Sequence, residues 1–208
     1  MDEHSNTSEP TSSHSDGAIA STKPTRSARV VIGWSLSFQA LWFLTIELAS
    51  QRRSGHAALL NIIWTAALIT SSRSDERRLL GWCLAGGAIG LIGDGVCLYL
   101  GLYHPAQPLI LSWSPAPLWL IALWCSFATL TPLSLSSILS RPWLAIMFGA
   151  IGGPLSYLAG VRLGAMRFGE TPSVSLIATG VLWGLAMWAG SLRQRAASRA
   201  AFKEREAS

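Results

Sequence analysis

Asp94, in the triplet Gly93-Asp94-Gly95, opens a stretch running to Arg141 that contains no Asp, Glu, Lys or Arg between those two residues. An ionisable group in apolar surroundings is costly, and inside a membrane segment it marks either a buried structural partner or a substrate or proton site. The structural alternative is a carboxyl that is uncharged or paired with Arg162, holding two helices in register. Glu47 and Arg162 fall toward the same end of the chain's apolar segments as Asp94. Gln39, with Ser35 one turn earlier, is suited to hydrogen bonding between helices, and secondarily to facing a ligand. Asp94, Gln39, Arg162, Tyr157 and Glu47 together form the candidate intramembrane polar site. Gly152-Gly153-Pro154 is a candidate helix break, because proline removes an amide donor and disfavours helix at the residue before it. Such breaks expose carbonyls that transporters use to bind ions and substrates, although a plain kink satisfies the same sequence. Thr131-Pro132 predicts a similar bend.

Other chemistry has no motif. Cys83, Cys97 and Cys125 show no C-x-x-C or Cys/His spacing and read as small packing residues. His4, His14, His56 and His104 are scattered. No H-E-x-x-H, G-x-S-x-G, Walker or Rossmann pattern occurs, and no carboxylate pair has the spacing of a hydrolase. The sequence therefore predicts no metal, no cofactor and no catalytic residues, and leans away from an enzyme.

These residues must be positioned by apolar helices. Half of the 208 residues are hydrophobic and 13% are charged, where soluble domains carry about 25% charged residues. Residues 1–29 are polar and without apolar periodicity, and are expected to form a disordered cytoplasmic tail. Six apolar segments follow, each near the roughly 20 residues that a span needs: residues 30–49, 56–72, 79–102, 117–139, 143–161 and 174–191. The second is the weakest, being short and carrying Asn61. Lipid offers no partner to free backbone groups, so the spans must be helical. The expected fold is all-α, a polytopic transmembrane bundle of six spans, closed by a basic cytoplasmic tail over 193–208. On this scheme Asp94 lies eight residues before Leu102, roughly 12 Å deep at 1.5 Å per residue.

Basic residues set the orientation. Six spans put Lys23, Arg26, Arg29, Arg73, Arg77, Arg78, Arg141, Arg193, Arg195, Arg199, Lys203 and Arg205 on one side, and Arg52, Arg53, Arg162 and Arg167 on the other. Twelve against four places both termini inside. Dropping the second span gives five against eleven with the N-terminus outside, but Arg52-Arg53 and Arg73 to Arg78 bracket that segment as flanks. The net charge of +5 is thus a topology signal, and nucleic acid is not an expected partner. Pro105 to Pro117 is apolar but too short to cross, and is expected to be interfacial or re-entrant. Trp113 and Trp119 suit an aromatic belt at one surface, and Trp34, Trp82, Trp143 and Trp188 at the other.

Small residues mark helix seams in lipid. Gly86, Gly90, Gly93, Cys97 and Gly101 form one stripe, and Gly149, Gly153, Ser156, Gly160 and Gly164 another. They predict that the third and fifth spans occupy the bundle interior. Ala40-Leu41-Trp42 and Ala122-Leu123-Trp124 match across the two halves, too briefly to establish a repeat.

The segments Phe38-Gln39-Ala40-Leu41-Trp42-Phe43, Gly93-Asp94-Gly95, Ala116-Pro117-Leu118-Trp119 and Arg141-Pro142-Trp143 resemble a family pattern. The run from Gly152-Gly153-Pro154-Leu155-Ser156-Tyr157-Leu158-Ala159-Gly160 to Ala165 resembles it more specifically. The pattern is similar to domain-of-unknown-function family 2878, over roughly residues 32–190, with the polar N-terminal tail as a departure. The resemblance implies a small integral protein of a bacterial inner membrane and brings no assigned reaction. The expected role is a transporter-like protein or a component of a membrane complex. Its partners would be the lipid bilayer and either another membrane protein or a second copy. The alternative is an enzyme or accessory factor acting on lipid or another apolar substrate, with Arg162 and Arg167 holding a phosphate headgroup.

Overall fold

The computed structural model describes residues 28–72, 75–107 and 114–206. The N-terminal tail up to residue 27, Arg73 and Trp113 lie outside the described residues, as do residues 108–113 of the expected interfacial loop. The chain is built from α1 (Ala28–Ser50), α2 (Ser54–Thr70) and α3 (Glu76–Ile89), followed by a π-helical turn (Gly90–Asp94) and α4 (Gly95–Tyr99). A short strand β1 (Tyr103–Pro105) precedes α5 (Leu118–Ser134) and α6 (Ser136–Leu139). The chain ends with α7 (Pro142–Arg162), β2 (Met166–Phe168) and α8 (Pro172–Glu206). Every apolar segment read from the sequence is helical.

Four helices are long and apolar enough to cross a membrane: Ala28–Ser50, Glu76–Tyr99, Pro142–Arg162 and Pro172–Glu204. α2 and α5 are apolar but shorter. Large aliphatic side chains such as Leu36, Leu84, Ile92, Ile151 and Ile177 lie exposed around the outside. A water-soluble surface buries such groups where it can; hydrocarbon imposes no such demand.

The interior belongs to α5. Eleven of its 17 residues are buried, against four of the 23 in α1. It packs on α1, α2 and α3, while α7 packs chiefly on α8. The glycine-striped helices are thus not the centre of the bundle. Each makes its close backbone approach to a single neighbour, although Gly93 also meets the Leu182 side chain of α8 and Gly160 that of Met166 in β2. A Cβ on Gly86 would collide with Ala128 and with the Trp124 carbonyl of α5, and one on Gly149 would collide with the Trp183 carbonyl of α8. A small-residue stripe reports one close backbone approach, not burial on all sides.

The expected break at Gly152-Gly153-Pro154 is corrected: α7 runs unbroken through Pro154. Pro154 leaves the Ala150 carbonyl without its usual donor four residues on. Gly180 of α8 lies directly against that gap, since a Cβ there would stand 3.1 Å from the Ala150 oxygen and 3.2 Å from the Pro154 ring. Close packing from α8 supports the helix where the sequence alone predicts weakness. The real irregularity is the π turn in the third segment, which carries Gly90, Gly93 and Asp94. π turns recur at functional positions.

Three further differences concern ends and belts. The fourth segment is two helices, because α5 stops at Ser134, two residues after Pro132, and α6 begins after Leu135. The last helix does not stop at residue 191 but continues to Glu206. Trp119 and Trp82 are core residues, 2% and 6% exposed, and not belt residues.

α4 and α7 end alike. Gly101 and Gly164 adopt positive φ, 67° and 82°. The next N–H in each case returns to a carbonyl five residues back, Leu102 to Cys97 at 2.9 Å and Ala165 to Gly160 at 2.9 Å. This is the glycine-terminated helix end. Each turn feeds a strand, and β1 and β2 pair antiparallel, Tyr103 with Phe168 and Pro105 with Met166. The ribbon caps one end of the bundle, here called the ribbon end. The opposite end, with Arg141 and Arg193, is the basic end.

Asn61, the polar blemish of the second segment, is fully buried at a junction of α1, α2 and α5. Its Nδ2 donates to Thr45 Oγ1 at 2.7 Å and to the Ala57 carbonyl at 2.9 Å. Its Oδ1 accepts from Ser126 Oγ at 2.9 Å, and Ser126 also meets Thr65 at 2.9 Å. Satisfied polar groups of this kind hold apolar helices together. Asn61→Ala is expected to lower stability by about 1–2 kcal/mol, measured as a shift of the unfolding transition in detergent. An unchanged transition would show that the three helices need no polar tie.

Candidate functional site

The π turn and the helix start that follows it set Asp94 in the interior, 0% exposed. Its Oδ2 accepts the Trp124 indole N–H of α5 at 2.7 Å. Its Oδ1 accepts the Tyr157 hydroxyl of α7 at 2.5 Å. The carboxyl therefore ties the third segment to α5 and α7. Tyr103 of the ribbon closes the group from above. Its ring meets Tyr157 edge-on at 5.3 Å, and its hydroxyl reaches the Asp94 carbonyl at 3.5 Å. The ribbon is fastened in turn by the Ser175 hydroxyl of α8, which donates to the Leu102 carbonyl.

Trp124 continues into an aromatic wall. It stacks on Trp183 of α8, with centroids 4.1 Å apart and planes 24° apart. Phe127, one turn along α5, meets Trp183 edge-on at 5.1 Å. Each indole rests on a glycine. A Cβ on Gly90 would stand 2.5 Å from Trp124 Cδ1, and one on Gly153 would collide with Trp183 Cγ. The glycines of both stripes thus make room for two tryptophans between four helices. A stacked pair of this kind adds about 0.5–1.5 kcal/mol beyond its area burial.

A cavity lies on either side of this wall. The first, about 380 Å³, opens between α1 and α7 toward the ribbon end. Its lining includes Gln39, Trp42, Ser156, Tyr157, Trp124 and Trp183. The second, about 250 Å³, lies among α3, α5 and α8 toward the basic end, with Ala85, Thr131, Met187 and Arg193 in its lining. Trp124 and Phe127 line both. The first falls in the size range of small-molecule sites, roughly 300–1,000 Å³. Asp94 touches neither directly but holds a wall residue of both.

Of the residues predicted from the sequence, Asp94 and Tyr157 are in direct contact. Gln39 faces the first cavity, and Gly152 and Gly153 line its α7 side. Arg162 is exposed on the last turn of α7, so the Asp94–Arg162 pair is replaced by Asp94 with Trp124 and Tyr157. Glu47 is exposed and accepts the Gln51 side chain at 2.7 Å, apart from the site. Trp124, Trp183, Phe127 and Tyr103 were not among the predicted site residues. Only the Ala122-Leu123-Trp124 match drew attention to any of them, and nothing in the sequence pairs Trp124 with Trp183. Among the described residues no group of three His, Cys, Asp or Glu is placed to hold a metal. Cys83, Cys97 and Cys125 are free thiols.

An all-helical apolar bundle with a buried, fully partnered carboxyl defines a membrane protein organised around an internal polar tie. The chain belongs to the family of proteins of unknown function designated DUF2878, whose model matches residues 31–189. No curated protein and no solved structure matches it.

Proposed function

We propose that the protein spans a bacterial inner membrane six times with both termini in the cytoplasm, and that it passes a small, mainly apolar solute between the two cavities without transforming it. The shorter helices α2 and α5 complete the six crossings, and the twelve-to-four arginine and lysine division orients them. On this orientation the first cavity faces the periplasmic half and the second the cytoplasmic half. The supporting observation is the shared wall: Trp124 and Phe127 separate the two spaces, and Asp94 fixes Trp124 in its closed position. Gln39, Ser156 and Tyr157 are polar side chains in the lining of the first cavity.

The reading is tested in a variant whose three cysteines are replaced by serine. Ser156→Cys is expected to react with a membrane-impermeant maleimide from the periplasmic face alone, and Ala189→Cys from the cytoplasmic face alone. Intact spheroplasts and inverted vesicles provide the two faces. Reaction of both positions from one face, or of neither, would count against two opposed cavities.

A further inference from the structure

We infer that the second cavity is a binding site for an amphiphile, with an apolar chain between α3 and α8 and an anionic phosphate or carboxylate head on Arg193 and Arg78. This deepens the proposed transport role by naming a ligand class, and it rests on that reading only for the direction of movement.

The shape comes from two points of contact. At the basic end Arg193 reaches over Gly81, where a Cβ would collide with its Nη2; deeper in the bundle Leu182 fills the place of a Cβ on Gly93. Between Gly81 and Gly93, roughly 18 Å of helix at 1.5 Å per residue, α3 and α8 leave the 250 Å³ space. Its walls are Ala85, Gly86 and Ile89 on one side and Ala186, Met187 and Gly190 on the other. An apolar cavity of about 150 Å³ already accepts a benzene-sized guest, so this one is large enough for a longer apolar chain.

The charge comes from two guanidiniums, those of Arg193 and Arg78. Arg193 lies over the Trp82 ring, with Cζ 5.2 Å from its centroid. Arg193 also lies in the lining of the cavity, so its charge stands at the edge of the apolar space. Arg78 does not line the space itself but donates to the side-chain oxygen of Gln194, the residue after Arg193 on α8, at 2.7 Å. A planar donor fork matches phosphate and carboxylate oxygens two at a time. Apolar walls and a cationic rim together fit an anionic amphiphile, and neither an inorganic anion nor an uncharged hydrocarbon satisfies both.

Native mass spectrometry of the full chain in a sugar-headgroup detergent tests this with dodecyl phosphate, dodecanoate, dodecanol and phosphatidylglycerol. Wild type is expected to bind the two single-chain anions one to one, and dodecanol about tenfold more weakly. Arg193→Gln is expected to weaken them about tenfold and to leave dodecanol unchanged. Ala85→Leu, which fills the cavity, is expected to abolish binding of all three, and an unchanged melting transition verifies that the variant folds. Phosphatidylglycerol binding with the same dependence on Arg193 and Ala85 assigns the site to a bilayer lipid, and binding of the single-chain anions alone assigns it to a free amphiphile. Anion binding that survives either substitution at full strength would overturn the inference. That result would leave the two-face labelling pattern untouched, so the failures of the two proposals are separable.

Discussion

Replacing Asp94 with alanine is expected to lower stability by about 2–4 kcal/mol, because it leaves two buried donors without an acceptor, at about 1–2 kcal/mol each. The Trp124 indole has only its N–H to offer, and the Tyr157 hydroxyl is 63 residues away in sequence from the oxygen it binds. Both side chains are buried, Trp124 3% and Tyr157 4% exposed. Asp94→Asn behaves differently. Its amide oxygen still accepts from Trp124, and its amide nitrogen meets the Tyr157 oxygen as donor, with the hydroxyl reversing its role. Stability is then expected to change by less than about 1 kcal/mol. Unfolding followed by tryptophan fluorescence in detergent measures both. The pair separates structure from function. If Asp94→Asn inserts and melts normally yet removes a growth or transport phenotype, the carboxyl does more than tie helices. Equal melting of wild type and Asp94→Ala would show that the buried bonds contribute nothing.

Trp124→Ala is expected to have the largest structural effect. Truncating a buried tryptophan costs about 3–5 kcal/mol through lost contacts and the space left behind. Here the change also removes the stacking partner of Trp183, one of the two bonds to Asp94 and the wall common to both cavities. Labelling at Ser156→Cys and at Ala189→Cys is then expected from both faces of the membrane, where the parent shows one face each. Trp124→Phe keeps an aromatic wall but lacks the N–H, so it is expected to preserve one-sided labelling at a smaller cost in stability. Should Trp124→Ala remain folded and one-sided, the wall would not be the barrier.

The sequence singles out Asp94, because a lone carboxylate amid apolar residues is conspicuous by composition alone, and the structure buries it completely. It also finds Tyr157 and the glycines on which the tryptophans rest. It misses who holds the carboxyl. Arg162 is the natural partner by charge, yet it stands on the exposed last turn of α7 while Tyr157 and Trp124 reach the carboxyl from inside. Neutral donors satisfy a buried oxygen without bringing a second charge out of water, and a list of charged residues cannot reveal them. The break expected at Pro154 fails for a related reason, since the support for the helix comes from Gly180 on another helix.

What the sequence determines by itself is local. Uncharged apolar runs require helices wherever hydrocarbon surrounds them, and the structure makes each of these runs helical. The tertiary structure decides which helix is central, where the π turn places Asp94, and that Trp124 and Trp183, 59 positions apart, form one wall between two cavities. Those outcomes depend on side chains distant in sequence meeting at a few ångströms, and periodicity along one helix carries no information about which face of another will be opposite.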